Sequence, residues 1–355
     1  MFYLPISLSR AAQALAPRAP SPHFGVLYGE MILSGLVMIQ NLIQQPLNEL
    51  QAEAFRIRKE NFGNELTFSI PGVVSYRTGE VPFQRNRFAA ISVTGKRCDL
   101  QCGHCKAKLL ESMIPAVTPD LLLQVAHRLR SDGALGILIS GGADRNGEVP
   151  LKTFIPAIRS LKQEYPGFKV IAHTGLLQRE TAIELKEAGL DQILIDVIGD
   201  DDTIREVYHL EKRVKDYEQT LLMLKEIGHR LAPHIIIGHH FGVIRGEWRA
   251  LEMVSRVGVD TLVLVVFKPM ASAGAGIIPR PDEVSRIAAI ARIVNPSTSI
   301  RMGCIRPAHS WKAEMEKGGI DSGVNTIAYP LQGTIDYAQE IGLETRFVEM
   351  CCSLL

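Results

Sequence analysis

The chain has 355 residues, 46% of them hydrophobic, with 39 Lys plus Arg against 38 Asp plus Glu. A formal charge of +1 argues against a strongly basic nucleic-acid surface, and the apolar share suffices for one large barrel or two domains. The apolar run Met31–Ile39 is short of the roughly 20 residues that span a bilayer, and the residue order of a signal peptide is absent. A cytoplasmic protein with no membrane or nucleic-acid partner is expected.

Residues 1–30 are rich in Pro, Ala and Ser, with Pro17, Pro20 and Pro22 close together, and read as a loosely ordered extension reaching to about residue 40. Helix formers from Gln44 to Phe62 stop at Gly63. Leu66–Ile70 follows as an extended run ended by Pro71-Gly72. Together they predict a helix-and-strand cap over 41–87, closing the bottom of what comes next.

From Phe88 onward, strand-like and helix-like runs alternate, the pattern of βα units on a parallel sheet. The strand-like runs begin at Phe88, Leu135, Phe168, Gln192, His234, Thr261, Ser299 and Val324. Helical runs lie between them, at Thr118–Ser131, Leu151–Glu164, Glu180–Ala188, Val214–Ile227, Trp248–Val257, Glu283–Ile293 and Trp311–Lys317. The fold class expected is α/β, a (β/α)8 TIM-type barrel over 88–332 whose catalytic groups gather at the carboxyl ends of the strands. Residues 333–355 are expected to form a helix and a cysteine-containing tail that folds over the barrel mouth.

The first strand leads into Cys98-Asp99-Leu100-Gln101-Cys102-Gly103-His104-Cys105. Three thiolates spaced C-x3-C-x2-C on a short loop can hold three irons of a four-iron, four-sulfur cluster and leave the fourth open. A zinc site is the poorer fit, since such sites favour paired C-x2-C elements and close four positions. Here one such pair exists, and His104 between its members is too close to serve easily as a fourth ligand. Loop-clustered thiols in a cytosolic chain also point to metal or catalysis rather than to disulfides.

The triplet, placed after a first strand, resembles the signature of the radical S-adenosylmethionine (radical SAM) superfamily. That resemblance implies a 4Fe-4S cluster on Cys98, Cys102 and Cys105, with the methionine part of S-adenosylmethionine on the open iron, and cleavage to a 5'-deoxyadenosyl radical. Ser140-Gly141-Gly142-Ala143, after the second strand, resembles the family's glycine motif that binds the methionine amino group, although Ala143 stands where an acidic residue is usual. A tight turn is the other reading of Gly141-Gly142. Asp196 and Asp200, at the fourth strand's end, correspond to where relatives such as biotin synthase bind the ribose hydroxyls. Asp200-Asp201-Asp202-Thr203 also suits a helix N-cap. Gly238, before His239 and His240, corresponds to the adenine-contacting backbone, and the two histidines are expected on a polar rim. The small-residue loop Ala271–Gly276 suits either a closing segment or a passive connector.

Cys304 follows the seventh strand, and Cys351 and Cys352 lie in the tail. Together, with Ser353 or an arginine, they are candidates for an auxiliary Fe-S cluster. Burial as small hydrophobes and redox activity are the alternatives. Late cysteines on a full-length barrel resemble the sulfur-inserting branch, biotin synthase and lipoyl synthase, and within it the biotin-synthase-like components of two-protein lipoyl synthases. The resemblance covers roughly Arg56 to Leu355; the amino-terminal cysteine motif of single-chain lipoyl synthase is lacking. It implies sulfur insertion into an octanoylated carrier protein, a reducing electron donor and a second radical SAM subunit. A single-cluster rearrangement, ring formation or methylation of a small metabolite stays open, as does a non-catalytic barrel. No side chain is assigned to acid or base catalysis.

Overall fold

The computed structural model describes residues 37–73, 76, 78, 85–270, 276–307 and 310–354. The expected amino-terminal arm falls almost wholly on residues 1–36, and most of the small-residue loop on 271–275; both lie outside the described residues.

The chain opens with α1 (Leu47–Phe62) and β1 (Glu65–Ser69), then β2 (Phe88–Ser92) and the two-residue β3 (Ile114–Pro115). Helices and strands alternate from there: α2 (Pro119–Ser131), β4 (Gly136–Ser140), α3 (Ile155–Glu164), β5 (Lys169–His173), α4 (Arg179–Glu187) and β6 (Gln192–Asp196). After the short α5 (Asp201–Glu206) come α6 (Val214–Ile227), β7 (Leu231–Ile237), α7 (Glu247–Val257), β8 (Thr261–Val266), α8 (Pro281–Val294) and β9 (Ser299–Met302). The last elements are α9 (Lys312–Asp321), β10 (Thr326–Ala328), α10 (Gln332–Glu340) and β11 (Glu344–Val348).

Eleven strands make one sheet in the order β11-β1-β10-β9-β8-β7-β6-β5-β4-β2-β3, with parallel pairing throughout. The expected strands therefore lie side by side in chain order, from β2 to β10. Alternation along each strand sorts the core into two layers. Ile137 and Ile139 of β4, Val170 and Ala172 of β5, Ile193 and Ile195 of β6, and Leu262 and Leu264 of β8 pack with the helices. Their neighbours Ile171, Leu194 and Val263 join Phe88 and Ala232 in a second cluster on the other face. A flat sheet would hold β2 and β8 far apart, so this inner cluster requires the sheet to curl into a half-barrel. Both faces are buried, which is why these strands read as nearly continuous apolar runs.

Two expectations change at the edges. The segment over 41–87 is not a separate cap, because β1 joins the sheet between β10 and β11 while α1 packs on α8. Two fully buried arginines tie this corner by capping carbonyls: Arg58 donates to Gly63 O at 2.7 Å, and Arg292 Nε donates to Gly323 O at 3.0 Å. Likewise, the carboxyl-terminal segment is not only helix and tail, since Glu344–Val348 is an edge strand. Among the described residues β2 and β10 are not paired, so the curled sheet is open. Beyond β11 the tail crosses toward β2: Glu349 Oε2 lies 2.9 Å from Arg87 Nε, and Ser69 Oγ donates to Met350 O at 2.6 Å.

Candidate functional site

The loop after β2 is wound tightly. Gln101, Lys106 and Ala107 all take positive φ (47°, 43° and 60°), a backbone state that persists only where surroundings impose it. The backbone N–H groups of Cys105 and Lys106 both donate to Cys102 O, at 3.1 and 2.8 Å, and Gly103 N–H donates to Val207 O at 2.6 Å. This winding turns Cys98, Cys102 and Cys105 toward one another. Burial, then Cys105 and Cys98, push the Cys102 thiol far up, and burial takes Cys105 up to about 11. Two thiols that resist ionisation, Cys102 and Cys105, with a third beside them, call for a compensating cation. Among the described residues no three His, Cys, Asp or Glu side chains are placed to hold a single metal ion. A cubane makes no such demand, because each thiolate takes a different iron.

The end of β4 supports this loop from below. Gly142 N–H donates to Thr94 Oγ1 at 2.7 Å. Gly141 is similarly close, since a Cβ there would sit 3.1 Å from Thr94 Oγ1. Ser140 Oγ donates to His173 O at 3.2 Å. The paired glycines therefore serve as a close-packed floor under Cys98.

Asp196, at the end of β6, is the centre of a polar cluster. His173 Nε2 lies 3.2 Å from its Oδ1, and Tyr208 O–H donates to its Oδ2 at 3.1 Å. Burial opposes ionisation of this carboxyl but is outweighed by His173, with His234 and His239 behind it, so the group stays well below the usual carboxylate range. Behind Tyr208, three rings stack in a triangle. Centroids are 5.2 Å apart for His104 and Tyr208, 5.1 Å for His104 and His239, and 5.0 Å for Tyr208 and His239. His239 is thus buried, not on the rim. Among the described residues His104 Nδ1 and His239 Nε2 are buried without a hydrogen-bond partner. Neither His173 nor Tyr208 carries a signal in the sequence, Tyr208 because it follows a short helix without periodicity.

Asp200 takes the N-cap role: its Oδ2 accepts from Thr203 N–H at 2.8 Å and from Thr203 Oγ1 at 2.7 Å, with Arg245 Nε at 3.4 Å. Gly238 sits at φ 77°, its N–H donating to the buried Glu247 carboxylate at 2.7 Å. The same carboxylate accepts from the N–H groups of His239 at 3.3 Å and Arg245 at 2.8 Å, so it pins the whole turn after β7. Between this turn and the loop after β6 lies a small open recess, lined by Val197, Ile198, Gly199, Thr203, His239 and His240 among others. Asp196, Gly238 and this recess are adjacent, whereas the Asp200 carboxylate is already engaged.

Cys304, Cys351 and Cys352 also come together. Cys304 is exposed, Cys351 half-buried and Cys352 buried. The thiols of Cys351 and Cys352 act on each other's ionisation, and Cys304 interacts with the pair. Cys352 ionises first, because Cys351 stabilises its thiolate against burial and Arg301, Ser353 and Arg306 add to the effect. Arg301 Nη1 donates to Cys352 O at 2.6 Å.

Comparison with known proteins agrees with this geometry. Residues 92–243 match the family model "Radical SAM superfamily", a stretch that contains the cysteine loop, the paired glycines, Asp196 and Gly238. The chain is 26% identical over 276 residues to biotin synthase 2 of Corynebacterium diphtheriae, covering 74% of this chain and 75% of that one. It is 25% identical over 300 residues to biotin synthase of Ruthia magnifica subsp. Calyptogena magnifica, covering 82% and 85%. In fold it is similar to methylornithine synthase, with TM-score 0.61 and 14% identity over 90% of this chain and 97% of that one. It is also similar to the FeFe-hydrogenase maturase HydG from Carboxydothermus hydrogenoformans, with TM-score 0.57 and 14% identity over 92% and 81%. These two likenesses show the parallel-stranded half-barrel. Among the described residues no helix is long and apolar enough to cross a membrane.

Proposed function

We propose that the chain is a sulfur-inserting member of the radical SAM superfamily that acts on an octanoylated carrier protein. The observation that carries the reading is the meeting of Cys304, from the loop after β9, with Cys351 and Cys352, from the tail beyond β11, across the intervening strands β1 and β10. A second Fe-S cluster held there would supply sulfide to a carbon inside the half-barrel. The biotin synthase relatives support the same branch.

The residues fit the implied cofactors. Cys98, Cys102 and Cys105 would hold the first cluster, and a ligand rich in donors and acceptors, as S-adenosylmethionine is, would supply partners for the buried, unpartnered His104 Nδ1 and His239 Nε2. Bound there, cluster and S-adenosylmethionine supply a 5'-deoxyadenosyl radical, which can take hydrogen from an unactivated carbon. Side chains supply no such oxidant, so the protein's part is placement and exclusion of water. Asp196 is held ionised, accepting from His173 and Tyr208, and presents fixed negative charge to ribose hydroxyls. His234 Nδ1–H donates to Ala232 O at 2.9 Å, which leaves Nε2 as the acceptor facing inward. The apolar layer beneath them keeps water from quenching a carbon radical.

The test is to incubate anaerobically reconstituted protein with reductant, S-adenosylmethionine and octanoylated carrier protein, then weigh the product for added sulfur. About eight irons per chain are expected from two cubanes. Only about four, unaffected by Cys304→Ala, together with product of unchanged sulfur content, would favour single-cluster chemistry on a small metabolite.

A further inference from the structure

The inner face of the half-barrel is filled by the chain's own tail. Leu354, 8% exposed, belongs to the cluster of Phe88, Ile171, Leu194, Ala232, Val263 and Val265. Ser353, 1% exposed, places Oγ 3.4 Å from His234 Nε2. Since His234 Nδ1 donates to Ala232 O, the hydroxyl is the donor. One residue earlier, Cys352 O accepts from the buried Arg301 at 2.6 Å. An amide carbonyl on a guanidinium, followed by an aliphatic group in an apolar chamber, is the layout of an acyl amide.

We propose that this inner layer is a binding site for the unbranched acyl chain of the substrate, and that Leu354 occupies it until that chain enters. The inference rests on the sulfur-insertion reading and names the substrate class of the same site. The cluster around Leu354 is built of aliphatic and aromatic side chains, so a polar group seated among them would lose its hydrogen bonds with water, whereas methylenes lose only water contact. The tail is held unevenly. Met350 and Cys352 are fixed through their carbonyls by Ser69 and Arg301, while Ser353 has a long bond to His234 and Leu354 N–H a turn bond to Cys351 O at 3.0 Å. Ser353 and Leu354 therefore swing about Cys352, leaving Cys351 and Cys352 in station beside Cys304. His173 and His234, their rings 5.4 Å apart, mark the polar entrance.

The experiment uses the full reconstituted chain and two probes, N-octanoyl-lysine amide and N-acetyl-lysine amide. Hydrogen–deuterium exchange of the peptide containing Leu354 should quicken severalfold with the octanoyl probe and stay constant with the acetyl probe. By calorimetry, Leu354→Ala and Ser353→Ala should each bind the octanoyl probe at least fivefold more tightly than the unaltered chain, with acetyl binding unchanged. Slower exchange at Leu354 on adding the octanoyl probe, or equal affinity in all three proteins, overturns the proposal. Iron content and melting temperature show whether each variant holds its fold, and the exchange arm needs no variant. If the tail responds as stated but no sulfur is added, the acyl site stands and the sulfur chemistry falls. If sulfur is added while the tail is inert, the reverse holds.

Discussion

Gly142 lies so close beneath Cys98 that a Cβ on the glycine would fall 2.5 Å from both Cα and Cβ of the cysteine and 2.1 Å from Arg97 O. Backbone atoms on both sides leave no route of relief. Gly142→Ala must therefore push the cysteine loop off the end of β4 and spread the three sulfurs. We expect bound iron to fall by about the four irons of one cubane, and 5'-deoxyadenosine formation to drop at least tenfold. Gly167→Ala is the control, because a Cβ there meets nothing within 4 Å. Equal iron in both variants would show that the loop does not depend on this contact.

The fold was largely legible because parallel strands buried on both faces give continuous apolar runs, and all eight expected from Phe88 to Tyr329 are present. β11 was not, since Glu344-Thr345-Arg346-Phe347-Val348 is a half-exposed edge strand whose charged residues mask its alternation. The thiol spacing announced the cysteine loop. Nothing local announced that Tyr208 would reach Asp196 across 12 positions at 3.1 Å, or that the tail would turn into the half-barrel. Such contacts belong to the curl of the sheet, which no window of sequence contains. His239 was misplaced on the rim for the same reason: its neighbours His104 and Tyr208 are remote in sequence.

The two groups of cysteines should separate cleanly. Replacing Cys98, Cys102 or Cys105 by Ala should abolish 5'-deoxyadenosine formation and leave only about the four irons of the other cubane. Replacing Cys304, Cys351 or Cys352 should also leave about four irons, yet 5'-deoxyadenosine should still form, with product lacking sulfur. Iron analysis and product mass on the six variants check both statements. Loss of radical formation in the Cys304 variant would mean that the late thiols serve the first cluster instead.

Arg306 and Glu316 form an ion pair at 2.8 Å with side-chain exposures of 1% and 0%. Glu316 also accepts from Leu331 N–H at 2.8 Å and Thr334 Oγ1 at 2.6 Å, while Arg306 reaches the carbonyls of Gly303 and Ala328. The pair thus fastens the loop carrying Cys304 to the end of β10. Glu316→Ala strands a buried guanidinium, and breaking such pairs costs roughly 3–5 kcal/mol. Urea unfolding should register a loss of that order. A change below about 1 kcal/mol, the level of a surface pair, would contradict the burial.

Acid should weaken the fold through its buried imidazoles. Burial and His104 push His239 down to about 3, against the pull of Asp196, while burial and His173 push His234 down to about 4. An unfolded imidazole titrates near about 6.5, so between that pH and the folded values the unfolded chain binds more protons. Stability is then complete above pH ~6.5 and falls as pH drops toward ~4, by up to about 1.4 kcal/mol per pH unit for each group. Asp196, held low in the folded chain, adds a loss in the same direction once pH passes below about 3.9. Urea midpoints between pH 7.5 and 4.5 should show this slope in the unaltered protein, and His239→Gln and His234→Gln should each remove about one proton's share of it. A slope that survives both substitutions would mean these rings are already protonated, or solvated, in the folded half-barrel.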